Sequence, residues 1–435
     1  MNRRSFLKSV GGIALAAPVV LSSREVFARG TDIPRLGKGK SDEPAEVNGK
    51  VDLPAWPHGG TSTAKDAMLM FRGNPSHTYY GNGEIPAEKP KILWKHRMID
   101  FPSLYYGEPF VWRGTGWTGQ AVAYAGHVWI GSQGKSLYCF EAKTGAIKWR
   151  FEAPRQFKGS SCLWDNKLYT GNVDDWLRCF DAATGKVLWR LNTGYDLDSS
   201  PCVVDGKLYI AGENGNVRCL DPNTGALHWK AFVGGINRGK KTGSYGSETS
   251  PAVVDDEVYA ATYDGELFCL DKATGKKRWM SKTGDDTDAS PVVSGDLVFA
   301  AAQDKNPYLF AFSRKDGKEI WKHKAKGGFW STPAVAGDKL FIGSAGGRLE
   351  ALDKATGKVA WTYMLGQGTW ASPTVVGDKV LVGDMAGTLH CVTASAGKEL
   401  WTMKLGGRLH STAVVQDGRI FLGSTDGVFH CIGKG

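Results

Sequence analysis

The chain has 435 residues, of which 57 are glycine and 16 are tryptophan, and it carries a formal charge of +10. Abundant glycine and aromatic residues without long helical apolar patterns are typical of short strands joined by tight turns. The positive charge is spread as single lysines after turn glycines, so the composition argues against a nucleic-acid partner. No segment of the mature chain is apolar and long enough to predict a membrane span.

The first 28 residues read as an export signal. Arg3 and Arg4 lie in the sequence NRRSFLK, an apolar stretch runs from Val10 to Leu21, and small residues end at Ala28. This arrangement resembles a twin-arginine signal peptide, which implies export by the twin-arginine translocase and a periplasmic or secreted mature protein. Residues 29–70 mix proline, glycine and both charges, and we expect a flexible linker or a tail lying on the following domain.

From residue 71 onward the sequence repeats itself. Each complete unit has four short β-prone runs, and the turn before the last run leads to a tryptophan. In four of the seven units this turn reads Asp-x-x-Thr-Gly. In such a turn the aspartate side chain accepts backbone hydrogen bonds and the glycine adopts a left-handed conformation. A period of 40 to 50 residues with four strands predicts propeller blades whose tryptophans pack between neighbours. The tryptophans that share this position are Trp149, Trp189, Trp229, Trp279, Trp321, Trp361 and Trp401.

The two ends of the repeat predict how the ring closes. Seven units are complete, and the C-terminus supplies three further strands that stop before any tryptophan. The segment KILWKHR at 91–97 has the tryptophan and supplies the missing outer strand. We therefore predict an all-β domain over residues 71–435, a single eight-bladed β-propeller of four-stranded antiparallel blades. Its N- and C-terminal strands share one blade, which closes the ring.

Two kinds of motif carry a family resemblance. The segments DAATGKVLW (181–189), DKATGKKRW (271–279) and DKATGKVAW (353–361) resemble the tryptophan docking motif of the pyrroloquinoline-quinone-like (PQQ-like) β-propeller superfamily. MFRGNPSHTYYGNG (70–83) resembles the segment that precedes the first blade in these proteins. The superfamily includes quinone-dependent dehydrogenases and a non-catalytic outer-membrane assembly lipoprotein, so the resemblance implies the fold and leaves the activity open.

The eight cysteines fall at repeated positions. Six occupy one third-strand position, and Cys162 and Cys202 share one first-strand position. Small slots of this kind suit buried thiols, which we expect here, and disulfides between neighbouring blades are the alternative. The adjacent cysteine pair that is typical of many quinone-dependent alcohol dehydrogenases is absent from the sequence.

The residues that open the innermost strands do not repeat. Three positions before the proline of Ser-Ser-Pro and its equivalents, the units carry Thr118, Lys158, Asp198, Glu248, Asp288, Trp330, Trp370 and His410. Innermost strands surround the central axis of a propeller, so we expect these side chains to form a ring at a funnel mouth. Carboxylates suit a hard cation such as Ca²⁺, and indole rings can stack on a flat ring or a sugar. A solvated funnel with tryptophan as a plug is the simpler interpretation.

Insertions at 97–119 and 234–248 enter the same face and would cover this ring. The leading hypothesis is a non-catalytic exported module that binds a protein or a small molecule across this face. The first alternative is an oxidoreductase dependent on pyrroloquinoline quinone and Ca²⁺. In that case Asp198, Glu248 and Asp288 are the metal ligands, with Asp288 as the candidate catalytic base. The cofactor would then contact Lys158, Trp330, Trp370 and His410. A second alternative is a protein that binds a glycan or another polymer.

Overall fold

The computed structural model describes residues 42–105, 107–116, 119–234 and 246–435. The predicted signal peptide and the first part of the predicted linker lie outside these ranges. Every regular element in the described ranges is a β-strand, and none of the described residues forms a helix that could cross a membrane.

The strands follow one another at short intervals along the chain. Before the first blade come β1 (Glu46–Val47), β2 (Lys91–Arg97), β3 (Phe101–Tyr105) and β4 (Glu108–Trp112). Blade 1 contains β5 (Val122–Tyr124), β6 (His127–Gly131), β7 (Ser136–Glu141) and β8 (Ile147–Glu152). Blade 2 contains β9 (Cys162–Trp164), β10 (Lys167–Gly171), β11 (Trp176–Asp181) and β12 (Val187–Asn192). Blade 3 contains β13 (Cys202–Val204), β14 (Lys207–Ala211), β15 (Asn216–Leu220) and β16 (Leu227–Phe232). Blade 4 contains β17 (Ala252–Val254), β18 (Glu257–Ala261), β19 (Glu266–Asp271) and β20 (Lys277–Lys282).

The second half of the ring has the same organisation. Blade 5 contains β21 (Val292–Ser294), β22 (Leu297–Ala301), β23 (Tyr308–Ser313) and β24 (Glu319–Lys324). Blade 6 contains β25 (Ala334–Ala336), β26 (Lys339–Ser344), β27 (Arg348–Asp353) and β28 (Val359–Met364). Blade 7 contains β29 (Thr374–Val376), β30 (Lys379–Gly383), β31 (Thr388–Thr393) and β32 (Glu399–Lys404). Blade 8 contains β33 (Val414–Gln416), β34 (Arg419–Gly423) and β35 (Val428–Gly433).

Each blade is an antiparallel meander whose first strand is the innermost. Blade 8 takes its outer strand from the other end of the chain, because β2 pairs with β35 and places Trp94 opposite Cys431. The predicted ring of eight four-stranded blades, closed by the two ends of the chain, is therefore confirmed.

The outer strand of each blade is tied to the next blade through its tryptophan. The indole Nε1–H of Trp149 donates to the carbonyl of Ala182 at 3.1 Å. Gly185, in the same turn of the next blade, lies so close that a Cβ atom there would come within 2.6 Å of the Trp149 ring. Seven other indoles donate to a backbone carbonyl beyond their own blade in the same way: Trp94, Trp189, Trp229, Trp279, Trp321, Trp361 and Trp401.

The starts of the innermost strands are linked by a belt of hydroxyl groups. The backbone N–H of Ser160 donates to the hydroxyl of Ser200 at 2.9 Å, and the N–H of Ser200 donates to that of Ser250 at 3.0 Å. The same bond continues the belt through Gln120, Ser290, Thr332 and Ser372. Each belt residue lies two positions after the residue that opens its strand, so the belt fixes the backbone beneath the predicted ring.

Residues 42–66 form a strap along the face of the propeller opposite the ring. β1 adds to the outer edge of blade 1, with Glu46 opposite Arg150. Further along, the N–H of Ser62 donates to the carbonyl of Val203, on the innermost strand of blade 3, at 2.8 Å. The strap therefore covers turns of blades 1 to 3 and leads the chain to the central axis.

Residues 67–82 then close the central channel. Arg72 is fully buried, and its two Nη atoms donate to the carbonyls of Pro373 at 2.7 Å and Pro333 at 3.0 Å. The His77 Nδ1 atom lies 2.7 Å from the carbonyl of Pro291. These prolines follow the strand-opening residues by three positions, so the segment crosses the channel below the ring. The channel is consequently a blind funnel.

All eight cysteines are buried, and none is joined to another by a disulfide. Burial raises the pKa of Cys162 to about 12, although its thiol contacts the Ser62 hydroxyl in the strap at 3.1 Å. Thiols with such values are protonated at neutral pH and behave as small packing groups.

Candidate functional site

Seven of the eight predicted ring residues lie in the described ranges, where they open the innermost strands of blades 2 to 8; Thr118, of blade 1, lies outside them. Their side chains divide into a polar half on blades 2 to 5 and an aromatic half on blades 6 to 8. We refer to this side of the propeller as the funnel face.

The polar half is built around a cluster of carboxylates. Lys158 Nζ forms an ion pair with Asp198, whose side chain is 1% exposed. Oxygen atoms of Asp198, Glu213 and Glu248 all lie within 4.8 Å of one another, and all three residues are buried. The structure thus brings together two of the three predicted metal ligands. Asp288 is not part of this group of three and accepts a hydrogen bond of 2.6 Å from Gln303 Nε2.

Sequence reasoning missed Glu213, which lies in the loop between β14 and β15. Its backbone N–H donates to the carbonyl of Asp196 at 3.1 Å. An equivalent bond is made in every blade, so these residues form a second tier beside the ring. The tier consists of Gln133, Val173, Glu213, Tyr263, Gln303, Ala345, Met385 and Thr425. Glu213 and Gln303 can be found from the sequence by aligning the loops that follow the second strands. Aligning only the starts of the first strands misses them.

Burial sets the electrostatics of the cluster. It raises the pKa of Asp198, and Glu248 raises this pKa further while Lys158 opposes the shift. Burial, together with Asp198 and Glu248, raises the pKa of Glu213 well above its ordinary value. Burial and the neighbouring Asp198 raise the pKa of Asp196 to about 7. With one lysine among several buried carboxylates, the pKa values of Asp198 and Glu213 are raised, and a bound cation would stabilise their deprotonated forms.

The aromatic half is a stack of three rings. Trp330 and Trp370 have centroids 5.1 Å apart with 26° between their planes, and Trp370 and His410 have centroids 4.8 Å apart with 31° between them. Burial, with a smaller contribution from Arg408, lowers the pKa of His410 to about 3, so its ring is neutral. Trp370 lies in the middle with both faces covered. The half-buried Trp330 is therefore the indole that can stack on a planar ligand.

A separate hairpin rises from the funnel face between blades 8 and 1. β3 and β4 pair only with each other among the described strands. The hairpin follows β2, and the N–H of Met98 donates to Gly427 in the loop that carries the second-tier residue of blade 8. Its base is fixed by Asp100, which binds Arg97 at 3.1 Å and Arg113 at 2.8 Å. Of the other predicted insertion, at 234–248, residues 235–245 lie outside the described ranges.

The hairpin is apolar and partly exposed. Tyr105, Phe110 and Trp112 pack edge to face or tilted, with centroids 4.8 to 5.6 Å apart. Leu104 is 69% exposed and Val111 is 37% exposed. The hairpin thus presents aliphatic side chains to solvent on one face and packs aromatic rings together on the other.

The fold defines the class of protein as an eight-bladed β-propeller. The family model described as "Outer membrane protein assembly factor BamB" matches residues 87–323, 305–384 and 364–432. The chain belongs to this family of PQQ-like repeat proteins. No curated protein matches the sequence significantly.

Solved structures with the same fold include BamB and two dehydrogenases. BamB from Moraxella catarrhalis is 19% identical, with 79% of this chain and 99% of that chain covered and a TM-score of 0.63. A europium-containing methanol dehydrogenase is 15% identical, with 86% and 99% covered and a TM-score of 0.68. The quinohemoprotein alcohol dehydrogenase from Comamonas testosteroni is 16% identical, with 86% and 81% covered and a TM-score of 0.68. At these identities the likeness establishes the fold alone.

Proposed function

We propose that the mature chain is a non-catalytic binding module of the periplasm, or of the secreted fraction, that binds another protein through its funnel face. In this proposal residues 1–28 are the twin-arginine signal peptide, 29–70 are an N-terminal extension, and 71–435 are the propeller. The observation that carries the proposal is the β3–β4 hairpin, which presents Leu104 and Val111 to solvent on the funnel face.

The opposite face supports this assignment, because the chain covers part of it with its own strap. Besides the bond at Ser62, the N–H of Val51 donates to Ala183 at 3.2 Å, and the Asn166 amide donates to Pro54 at 3.0 Å. These contacts occupy turns of blades 2 and 3 that a partner would otherwise reach. The family model gives further support, since its description names an assembly factor for an outer membrane protein.

The test places a photo-crosslinking residue at Leu104 in the exporting cell, with Leu188 as the matched control. Leu188 is 48% exposed on the outer strand β12, away from the funnel. We expect a protein adduct at Leu104 and none at Leu188. With the identified partner purified, Leu104→Asp with Val111→Asp should weaken binding at least about tenfold, because a few buried apolar anchors dominate such interfaces. Adducts of equal yield at both positions, or unchanged affinity, would refute the proposal.

The carboxylate cluster favours one second candidate, a quinone-dependent oxidoreductase. Asp198, Glu213 and Glu248 form a donor set that suits a hard cation such as Ca²⁺, and Trp330 has a face available for a planar quinone. When bound, a metal-associated quinone supplies the redox chemistry. Asp288, oriented by Gln303, is the residue that would accept a proton from a substrate hydroxyl.

Incubation of the purified mature protein with pyrroloquinoline quinone and Ca²⁺ separates the two candidates. The oxidoreductase requires retention of the quinone absorbance and of stoichiometric metal after desalting, and loss of both in Glu213→Gln. Glu350→Gln is the matched control, because Glu350 is also a buried glutamate but lies on β27 beside His323. If the wild type retains neither, the oxidoreductase is excluded and the binding module stands.

A further inference from the structure

The outer strands of the blades are the open edges of the molecule, and the chain itself shows that they accept another strand. β1 adds to β8 in blade 1, where the N–H groups of Ala45 and Asn48 donate to the carbonyls of Arg150 and Lys148, both at 2.8 Å. The outward-facing backbone groups therefore belong to the residues immediately before and after the tryptophan. In blade 6 the equivalent residues are Ala360 and Thr362.

The outer strands differ in how they are protected from such pairing. An open edge normally carries charged residues, which make the approach of another strand unfavourable. Among the outer strands in the described ranges, β28, with the sequence VAWTYM, is the one that contains no charged residue. The others are IKWRFE, VLWRLN, LHWKAF, KRWMSK, EIWKHK, ELWTMK and KILWKHR. On β28, Val359 is 43% exposed and Met364 is 61% exposed.

We propose that β28 is a dimerisation edge, at which a second copy of this chain pairs antiparallel with the first across a two-fold axis. At β8 the outward-facing groups belong to the residues on either side of the tryptophan, so we centre the two-fold pairing on Thr362. Thr362 then lies opposite Thr362 of the second copy, and Ala360 lies opposite Met364. Trp361 then lies opposite Tyr363. Two four-stranded blades would join into one continuous sheet, with apolar and Thr–Thr cross-strand pairs at the junction.

Charge explains why the occupant is a second copy at this blade and not at the others. In a two-fold pairing of this register, the residue after the tryptophan faces its own copy. That residue is Arg150, Arg190, Lys230, Lys322 or Lys95 in five blades, so like charges would meet. In blade 4 the same register places Arg278 opposite Lys282. In blade 7, where Thr402 follows the tryptophan, no like charges meet, but the register places the charged Lys404 opposite the apolar Leu400. β28 has neither a like-charge contact nor a charged residue opposite an apolar one.

The test is the molar mass of the purified mature protein by sedimentation velocity over a range of concentrations. We expect twice the mass of one chain for the wild type, and a twofold drop in mass for Ala360→Lys combined with Thr362→Lys. Lysine is compatible with the scaffold at both positions, because blades 1 and 5 carry Lys148 and Lys322 there. Leu188→Lys is the matched control, since it gives β12 the sequence VKWRLN and should leave the mass unchanged.

Folding is checked by the melting temperature, and the contact itself by amide hydrogen exchange. Protection of the Ala360 and Thr362 amides should rise with protein concentration in the wild type and not in the double lysine variant, whereas β12 should show no such rise. A monomeric wild type would overturn the proposal, and so would a double lysine variant that remains dimeric. A monomer whose β28 is protected only when another protein is added would assign the edge to a different partner and also overturn it. None of these outcomes depends on the β3–β4 hairpin.

Discussion

His77 should make the folded protein sensitive to mild acid. Burial, with a smaller contribution from the Arg72 charge, lowers the pKa of His77 from 6.5 to about 4 in the folded state. As the pH falls below 6.5, the unfolded chain takes up a proton at this residue and the folded chain does not, so stability is lost between about pH 6.5 and pH 4. Between pH 8 and pH 5 the expected loss from this residue is about 2 kcal/mol.

The replacement that isolates this effect is His77→Asn. The residue has a φ of +63°, which asparagine tolerates, and its amide can donate to the Pro291 carbonyl in place of Nδ1. Urea denaturation at pH 8 and pH 5 should show a free energy of unfolding that falls by about 2 kcal/mol less in the variant than in the wild type. The control is His228→Asn, at an exposed position on β16. Its free energy of unfolding should fall between pH 8 and pH 5 by the same amount as that of the wild type. Equal losses in the His77 variant and the wild type would refute the reasoning.

Two further predictions concern the packing between blades. Gly185→Ala should destabilise the protein by more than about 2 kcal/mol in thermal denaturation, because a methyl group would overlap the Trp149 ring in addition to straining a φ of +74°. Gly194→Ala, with a φ of +77° and open space around it, should cost only about 1 kcal/mol; equal costs would contradict the assigned contact. All eight cysteines should react with a thiol reagent only after unfolding. Native-state labelling of Cys162 would show that the strap does not cover it.

The ring closure could be predicted because it depends on local chemistry. The Thr-Gly-type turn and the tryptophan after it make contacts only within one unit and its neighbour, so the boundaries of each unit can be read from its own sequence. The strand around Trp94 belongs to no complete unit, and the incomplete C-terminal unit lacks one outer strand, so the two were predicted to pair. The strap was harder to predict, since residues such as Val51 and Ser62 each contact a different blade and leave no periodic pattern.

The candidate site was only partly predictable for a similar reason. Aligning the repeats showed that Asp198 and Glu248 open the innermost strands of neighbouring blades. Their side chains were therefore expected to lie close together. Glu213 lies in a loop of blade 3, the blade that Asp198 opens. The backbone hydrogen bond at this loop position is repeated in every blade, but the glutamate is not. The stacking of Trp370 between Trp330 and His410 depends on side-chain directions, which neighbouring residues determine in three dimensions and which strand register does not specify.

The most direct test of protein binding at the funnel face is the hydrogen-exchange footprint of the crosslinked partner on the purified mature protein. The proposal predicts slower exchange of the amides in β3 and β4 when the partner is added, with no change in the strap around Val51 and Ser62. It also predicts that Leu104→Asp with Val111→Asp abolishes this protection. Protection confined to the strap or to the outer strands, with β3 and β4 unchanged, would contradict the proposal.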